Sequence, residues 1–249
     1  MVFVAAVLSG CAMNVVPDFA AKPFEPFNRE DVVAIALREW RLFGSPTDDT
    51  PEATQKPERA PGLWERVGEY WWLGLGGRMR EARWTGKHDE IGRVFPASDD
   101  ERYAWSAAFI SYVMRIAGAG ERFPYAPNHA TYVNAAAAGR SPILRAHAPE
   151  TYAPKPGDLI CFGREWASRL RFSDLPTTDF WPGHCAIVVA QAAGTLSAVG
   201  GNDNDAVTMD RVTRAADGSL QSQDSPTAAP TVWPIAIEVL YDAEKDPDR

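Results

Sequence analysis

Ser106, His184 and Asn202 are the residues whose types could together perform nucleophilic chemistry. Ser106 lies in the segment 103–110 (YAWSAAFI), His184 in 183–188 (GHCAIV) and Asn202 in 199–202 (VGGN). A serine hydroxyl attacks only when a base takes its proton, imidazole is the usual base, and that base needs a third group to hold its tautomer. Ser106 as nucleophile, His184 as general base and then acid, and Asn202 as the orienting amide fill these roles. The Ser106 backbone N–H would help to hold an oxyanion. Asn202 brings no charge to stabilise an imidazolium, and Asp203 is an alternative orienting group. Each residue also has a plainer reading. Ser106 can bond back to the preceding helical turn, and His184 can be a satisfied core residue among Ala, Ile and Val. The run 200–205 (GGNDND) reads equally as a hairpin turn, because Gly, Asn and Asp tolerate positive φ. Trp105, His129 and Asp203 are candidates for substrate contact; His129, which follows Asn128, has a helix-end role as its alternative.

The elements that must position these groups are legible from periodicity and punctuation. Residues 28–43 read as a helix with Asn28 as N-cap, Asp31 in an acidic first turn, and Val32, Ile35, Ala36, Glu39 and Trp40 at helical spacing. Residues 44–62 carry four prolines and few large apolar side chains, which predicts a loop. Helices are expected over 63–72, from the S-x-x-E capping box at Ser98–Glu101 onward to Ala117, and over 129–138. Strands are expected over 158–162, 184–190, 196–199, 206–212 and 232–241. Helices precede strands, the order of an α+β fold.

Composition narrows the function classes. The chain has 249 residues, 45% hydrophobic and 23% charged, with 25 Lys and Arg against 33 Asp and Glu, a formal charge of −8. A broad nucleic-acid footprint needs clustered basic residues, so that partner is not expected. No His-x-x-x-His or Cys-x-x-Cys pair, full calcium loop or phosphate loop occurs, so neither metal nor cofactor is expected. Of nine tryptophans, Trp71, Trp72 and Trp181 are candidate sugar platforms, but core area is the commoner use of such side chains.

Residues 1–10 (MVFVAAVLSG) form a short apolar stretch before Cys11, the pattern of a secretion signal, too short to span a bilayer. Its last residues with Cys11 resemble the lipobox of bacterial lipoproteins. That resemblance implies lipidation of Cys11, a tether over 11–27 and, with Ala12 next, the periplasmic face of the outer membrane; the alternative is a buried N-terminal strand. Cys161 and Cys185 could then pair in an oxidising compartment. Two small buried hydrophobes is the reading favoured here.

Taken in order, the YAWSAAFI helix, Pro156-Gly157-Asp158-Leu159, Gly183-His184 and Gly201-Asn202 resemble the papain-like cell-wall hydrolases of the CHAP and NlpC type. They are most similar to the bacterial lipoprotein domain-of-unknown-function family 2272, over roughly 28–241. The resemblance implies one papain-like α+β domain with helices packed on a small antiparallel sheet, an N-terminal helical part and a tail at 242–249. It also implies hydrolysis of peptidoglycan peptide or amide bonds, with serine where those enzymes carry cysteine. The alternatives are an inactive module that binds wall peptide or a protein partner in the same groove, and an acyl transferase.

Overall fold

The computed structural model describes residues 26–51, 53–221 and 232–242. The expected signal stretch, Cys11 and the tether up to residue 25 lie outside the described residues, as does the tail beyond 242. Helix α1 (Arg29–Leu42) opens on Asn28, whose side chain accepts from the Asp31 N–H, as the sequence predicts. Helices α2 (Leu63–Gly74), α3 (Ser106–Ile116) and α4 (His129–Ala137) follow; Asn128 caps α4 by accepting from the Thr131 N–H. Six strands come next: β1 (Leu144–His147), β2 (Leu159–Gly163), β3 (Gly183–Ala192), β4 (Thr195–Asp203), β5 (Ala206–Thr213) and β6 (Ile235–Val239). They form one antiparallel sheet in the order β1-β6-β2-β3-β4-β5. The class is therefore α+β.

Alternation along the strands divides the apolar residues between two faces. Leu159, Cys161, Cys185, Ile187, Val199, Val207 and Ile237 meet the helices in the main core, with Phe109, Ile110, Val113 and Trp71. Ile160, Ala186, Val188, Leu196, Ala198, Val212 and Ala236 form a smaller core on the opposite face under Trp233 and Leu220. Cys161 and Cys185 stand opposite each other in the β2–β3 ladder and are joined by a disulfide across a Cα–Cα distance of 4.1 Å. This corrects the unpaired reading: both are buried, but the register brings their Cβ atoms together.

Two buried carboxylates fasten the helices to this frame. Glu39 of α1 receives Arg66 of α2 at 2.6 Å, Arg38 at 2.7 Å and the Tyr70 hydroxyl at 2.8 Å. Burial alone would raise its pKa, yet the Arg66 and Arg38 hydrogen bonds outweigh it and bring the group below its usual value. Asp158, from the Pro-Gly-Asp-Leu motif, accepts from the Tyr152 hydroxyl at 2.7 Å and from the Lys155 and Val239 N–H groups, and lies 3.5 Å from Arg29. That motif is thus a staple between β2, β6 and α1.

Two elements differ from expectation, and the expected loop is anchored. Residues 97–103 form a 3-10 helix, and α3 starts only at Ser106. Asp100 is drawn into ion pairs with Arg59 and Lys56, and Ser98 Oγ turns to Asp99, so no capping box forms. Segment 44–62 is tied down: Thr47 bridges to Met209 on the β5 edge, and the Glu58 N–H donates to the Asp205 carbonyl at 3.0 Å. Strand β1 is an addition to the expected set.

Candidate functional site

Ser106 is the first residue of α3, and no side chain caps that helix. The first backbone bond of its ladder runs from the Phe109 N–H to the Trp105 carbonyl, so the N–H groups of Ser106, Ala107 and Ala108 precede it. Ser106, Ala107 and His129 line a cleft of about 880 Å³ together with Asn128, Arg164, Trp166, Phe180, Trp181, Asn202 and Asp203. The N-terminus of a helix, with its partial positive charge, therefore faces open space beside a hydroxyl.

The imidazole paired with that hydroxyl is His129, not His184. Ser106 Oγ lies 2.5 Å from His129 Nε2, and His129 Nδ1 bonds the hydroxyl of Tyr132 one turn on. When Nδ1–H donates to the Tyr132 oxygen, Nε2 carries the lone pair that can take the serine proton. Burial, with a smaller push from the Arg164 charge, lowers the His129 pKa to about 3. The ring is neutral at ordinary pH and in the base form.

His184 sits elsewhere for a reason of parity. Its side chain falls on the face of Ala186 and Val188, away from α3, with its ring 5.4 Å from that of Phe162 and 5.6 Å from that of His129. Arg164 Nη2 donates to His184 Nδ1 at 3.3 Å. A guanidinium only donates, so Nδ1 holds the lone pair and the neutral ring carries its proton on Nε2. That Nε2 is buried without a partner, against Gly200, where a Cβ would fall 2.5 Å away. The structure thus pairs His184 with Arg164, and the expected contact between His184 and Ser106 is not formed.

Asn202 lines the cleft in a left-handed conformation (φ 56°) but makes no bond to His184, which corrects its orienting role. Asp203 also reaches the cleft. Its charge adds to burial in pushing neighbouring Asp210 up to about 7. Trp105 is not a cleft residue: it is buried between Phe43 and Tyr70, and its Nε1 donates to Glu58 at 2.5 Å. Burial foremost raises the Glu58 carboxyl to about 8, so it is protonated at neutral pH. Trp71 is core and Trp181 is a buried wall of the cleft.

Arg164, Trp166 and Phe180 come from irregular segments that sequence periodicity does not mark; the two aromatics are 63% and 62% exposed at the rim. Glu58, Asp100 and Asp205 gather with oxygens within 4.8 Å of one another, another grouping not foreseen. Lys56 Nζ pairs with Asp100 at 2.8 Å and Asp205 at 3.1 Å, and Arg59 with Asp100 at 2.6 Å, so lysine and arginine supply cations there.

Residues 58–239 match the model of a family described as an uncharacterized protein conserved in bacteria, DUF2272. The chain belongs to the DUF2272 family. The match takes in α2 to β6, and with them Ser106, His129, Arg164 and His184. No curated protein and no solved structure matches the chain.

Proposed function

We propose that this DUF2272 chain is a serine-dependent hydrolase of amide or ester bonds in the bacterial cell envelope, acting on peptidoglycan peptides. The observation that carries the reading is the Ser106–His129 hydrogen bond at the mouth of an uncapped helix, inside a cleft large enough for several residues of a peptide. The helix-then-antiparallel-sheet order supports a papain-like ancestry, in which a nucleophile at a helix start faces a sheet-borne histidine. Here the sheet histidine has been turned aside and a helical one takes its place. In the proposed reaction Ser106 Oγ attacks the carbonyl carbon while its proton passes to His129 Nε2. The Ser106 and Ala107 N–H groups stabilise the oxyanion. His129 then returns the proton to the leaving group, and water hydrolyses the acyl-serine. Tyr132 is a positioning residue that holds the His129 tautomer. The N-terminal pattern before Cys11 supports an exported, lipid-anchored protein at the periplasmic face of the outer membrane.

A second reading, a cleft that only binds wall peptide, is favoured by one observation: among the described residues no carboxylate backs His129, so the imidazolium is poorly stabilised. The two separate by incubating the protein lacking residues 1–11 with purified peptidoglycan and analysing released fragments. Release that vanishes in Ser106→Ala supports the hydrolase. Retention on the wall without release, unaltered in Ser106→Ala, supports the binding module.

A further inference from the structure

We infer that Arg164 is the seat for a carboxylate of the substrate, held in place by the buried ring of His184. This inference rests on the same cleft as the proposed hydrolase and adds the class of ligand: a peptide with a free carboxylate close to the bond presented to Ser106.

Arg164 follows Gly163, where a Cβ would fall 1.9 Å from the Ala167 carbonyl oxygen. Only glycine permits the chain to fold back so closely. The 3-10 turn after it (Glu165–Arg169) begins with Glu165 in a left-handed conformation (φ 50°), and the Arg164 N–H is fixed to the Pro182 carbonyl at 2.9 Å. The backbone is thus pinned on both sides of the residue. The guanidinium donates to His184 Nδ1 and lies 5.9 Å from the centre of the Phe162 ring. It forms no ion pair among the described residues, whereas other arginines beside the cleft and core, such as Arg59 and Arg66, do. Asp210 feels the Arg164 charge and Asp203 shares the cleft, but neither stands within ion-pair distance, so the guanidinium keeps donors to offer, and its planar fork matches a carboxylate in particular.

His184 explains why the fork stays in place. It is fully buried, carries no charge and can offer Arg164 a lone pair without neutralising it. A carboxylate at that position would have cancelled the charge. With Nε2 unpartnered among the described residues and set against Gly200, the bond from Arg164 is the hydrogen bond this ring makes. The arrangement also links binding to chemistry. Arg164 opposes protonation of His129, and a bound carboxylate would cancel that opposition, so the right substrate would make its own base stronger.

The test uses Ser106→Ala protein, so that binding is read without turnover, and titrates the peptide L-Ala–γ-D-Glu–L-Lys–D-Ala by calorimetry. Parallel titrations use its C-terminal amide, its isoglutamine form and the peptide blocked at both places. The expected result is at least about 10-fold tighter binding of one free-acid form over the corresponding blocked form, lost when Arg164→Gln is added. Arg164→Lys should keep only part of the preference. Which block weakens binding identifies the source of the carboxylate. Equal affinity for all four peptides, no binding of any, or a preference that survives Arg164→Gln would overturn the inference. Release of wall fragments by the unmutated chain is scored separately, so the hydrolase reading and the Arg164 inference can fail independently.

Discussion

The two histidines of this molecule stand 5.6 Å apart, ring to ring, and do opposite things with their nitrogens. His129, at the start of a helix, has a hydroxyl on each nitrogen, and one of these is Ser106. His184, near the start of a strand, has an arginine on one nitrogen and nothing on the other. Both are kept neutral, in each case first by burial. The difference teaches that burial alone does not make a histidine a base; the partner decides which nitrogen is left with a lone pair and where it points. His129 can face Ser106 with a lone pair, and His184 has given its own to Arg164.

The comparison breaks if the two rings respond alike to substitution. Ser106→Ala should lower kcat/KM on wall peptide at least about 1,000-fold and His129→Gln about 100- to 1,000-fold, both in kcat. His184→Gln should weaken KM by about 10-fold through a loosened Arg164, with kcat nearly retained. Equal losses from both histidine variants, with folding checked by thermal melts, would remove the distinction.

Two further changes sharpen it. Tyr132→Phe deletes the hydroxyl at His129 Nδ1 and is expected to reduce kcat about 10-fold while leaving KM unaltered. The pH profile carries its own sign. Because the His129 pKa is depressed from 6.5 to about 3, the ring stays a base as pH falls through 6.5, and kcat/KM should fall only as pH approaches about 3. Stability moves differently: the unfolded chain takes up this proton below 6.5 and the folded chain does not until about 3, so the melting temperature should decline across that window. An activity limb centred near 6.5 would mean that the working imidazole does not have the depressed pKa that burial gives His129. Beside these, removing the disulfide by Cys161→Ala with Cys185→Ala tests the frame that sets the parity of β3. With the cysteines 24 positions apart, it should lower unfolding free energy by about 3 kcal/mol, read from the urea midpoint.

Much of the frame was legible in the sequence because the relevant signals are local. Asn28 caps where cap chemistry predicts, and β2 to β5 follow from alternation bounded by Gly, Pro and Asn. The S-x-x-E box misled because Asp100, inside it, belongs to a distant ion-pair cluster with Lys56 and Arg59. β1 (LRAH) is short and charged, and it became a strand only through pairing with β6. In the site, Ser106, His129 and Asp203 were visible by type. That His129 and not His184 reaches the Ser106 hydroxyl was not legible, because a strand residue's face depends on register, and a shift of one position reverses it. Arg164, Trp166 and Phe180 left no periodic trace, since they lie in turns fixed by tertiary contacts such as that between the Arg164 N–H and the Pro182 carbonyl.

The most direct test of the central claim, that Ser106 is activated by His129, is the rate of covalent labelling by a neutral fluorophosphonate, with the modified residue mapped by mass spectrometry. The account predicts stoichiometric modification of Ser106 in the unmutated chain and in His184→Gln, and loss of labelling in Ser106→Ala and His129→Gln. An inert Ser106, or labelling that survives His129→Gln and disappears in His184→Gln, would contradict it.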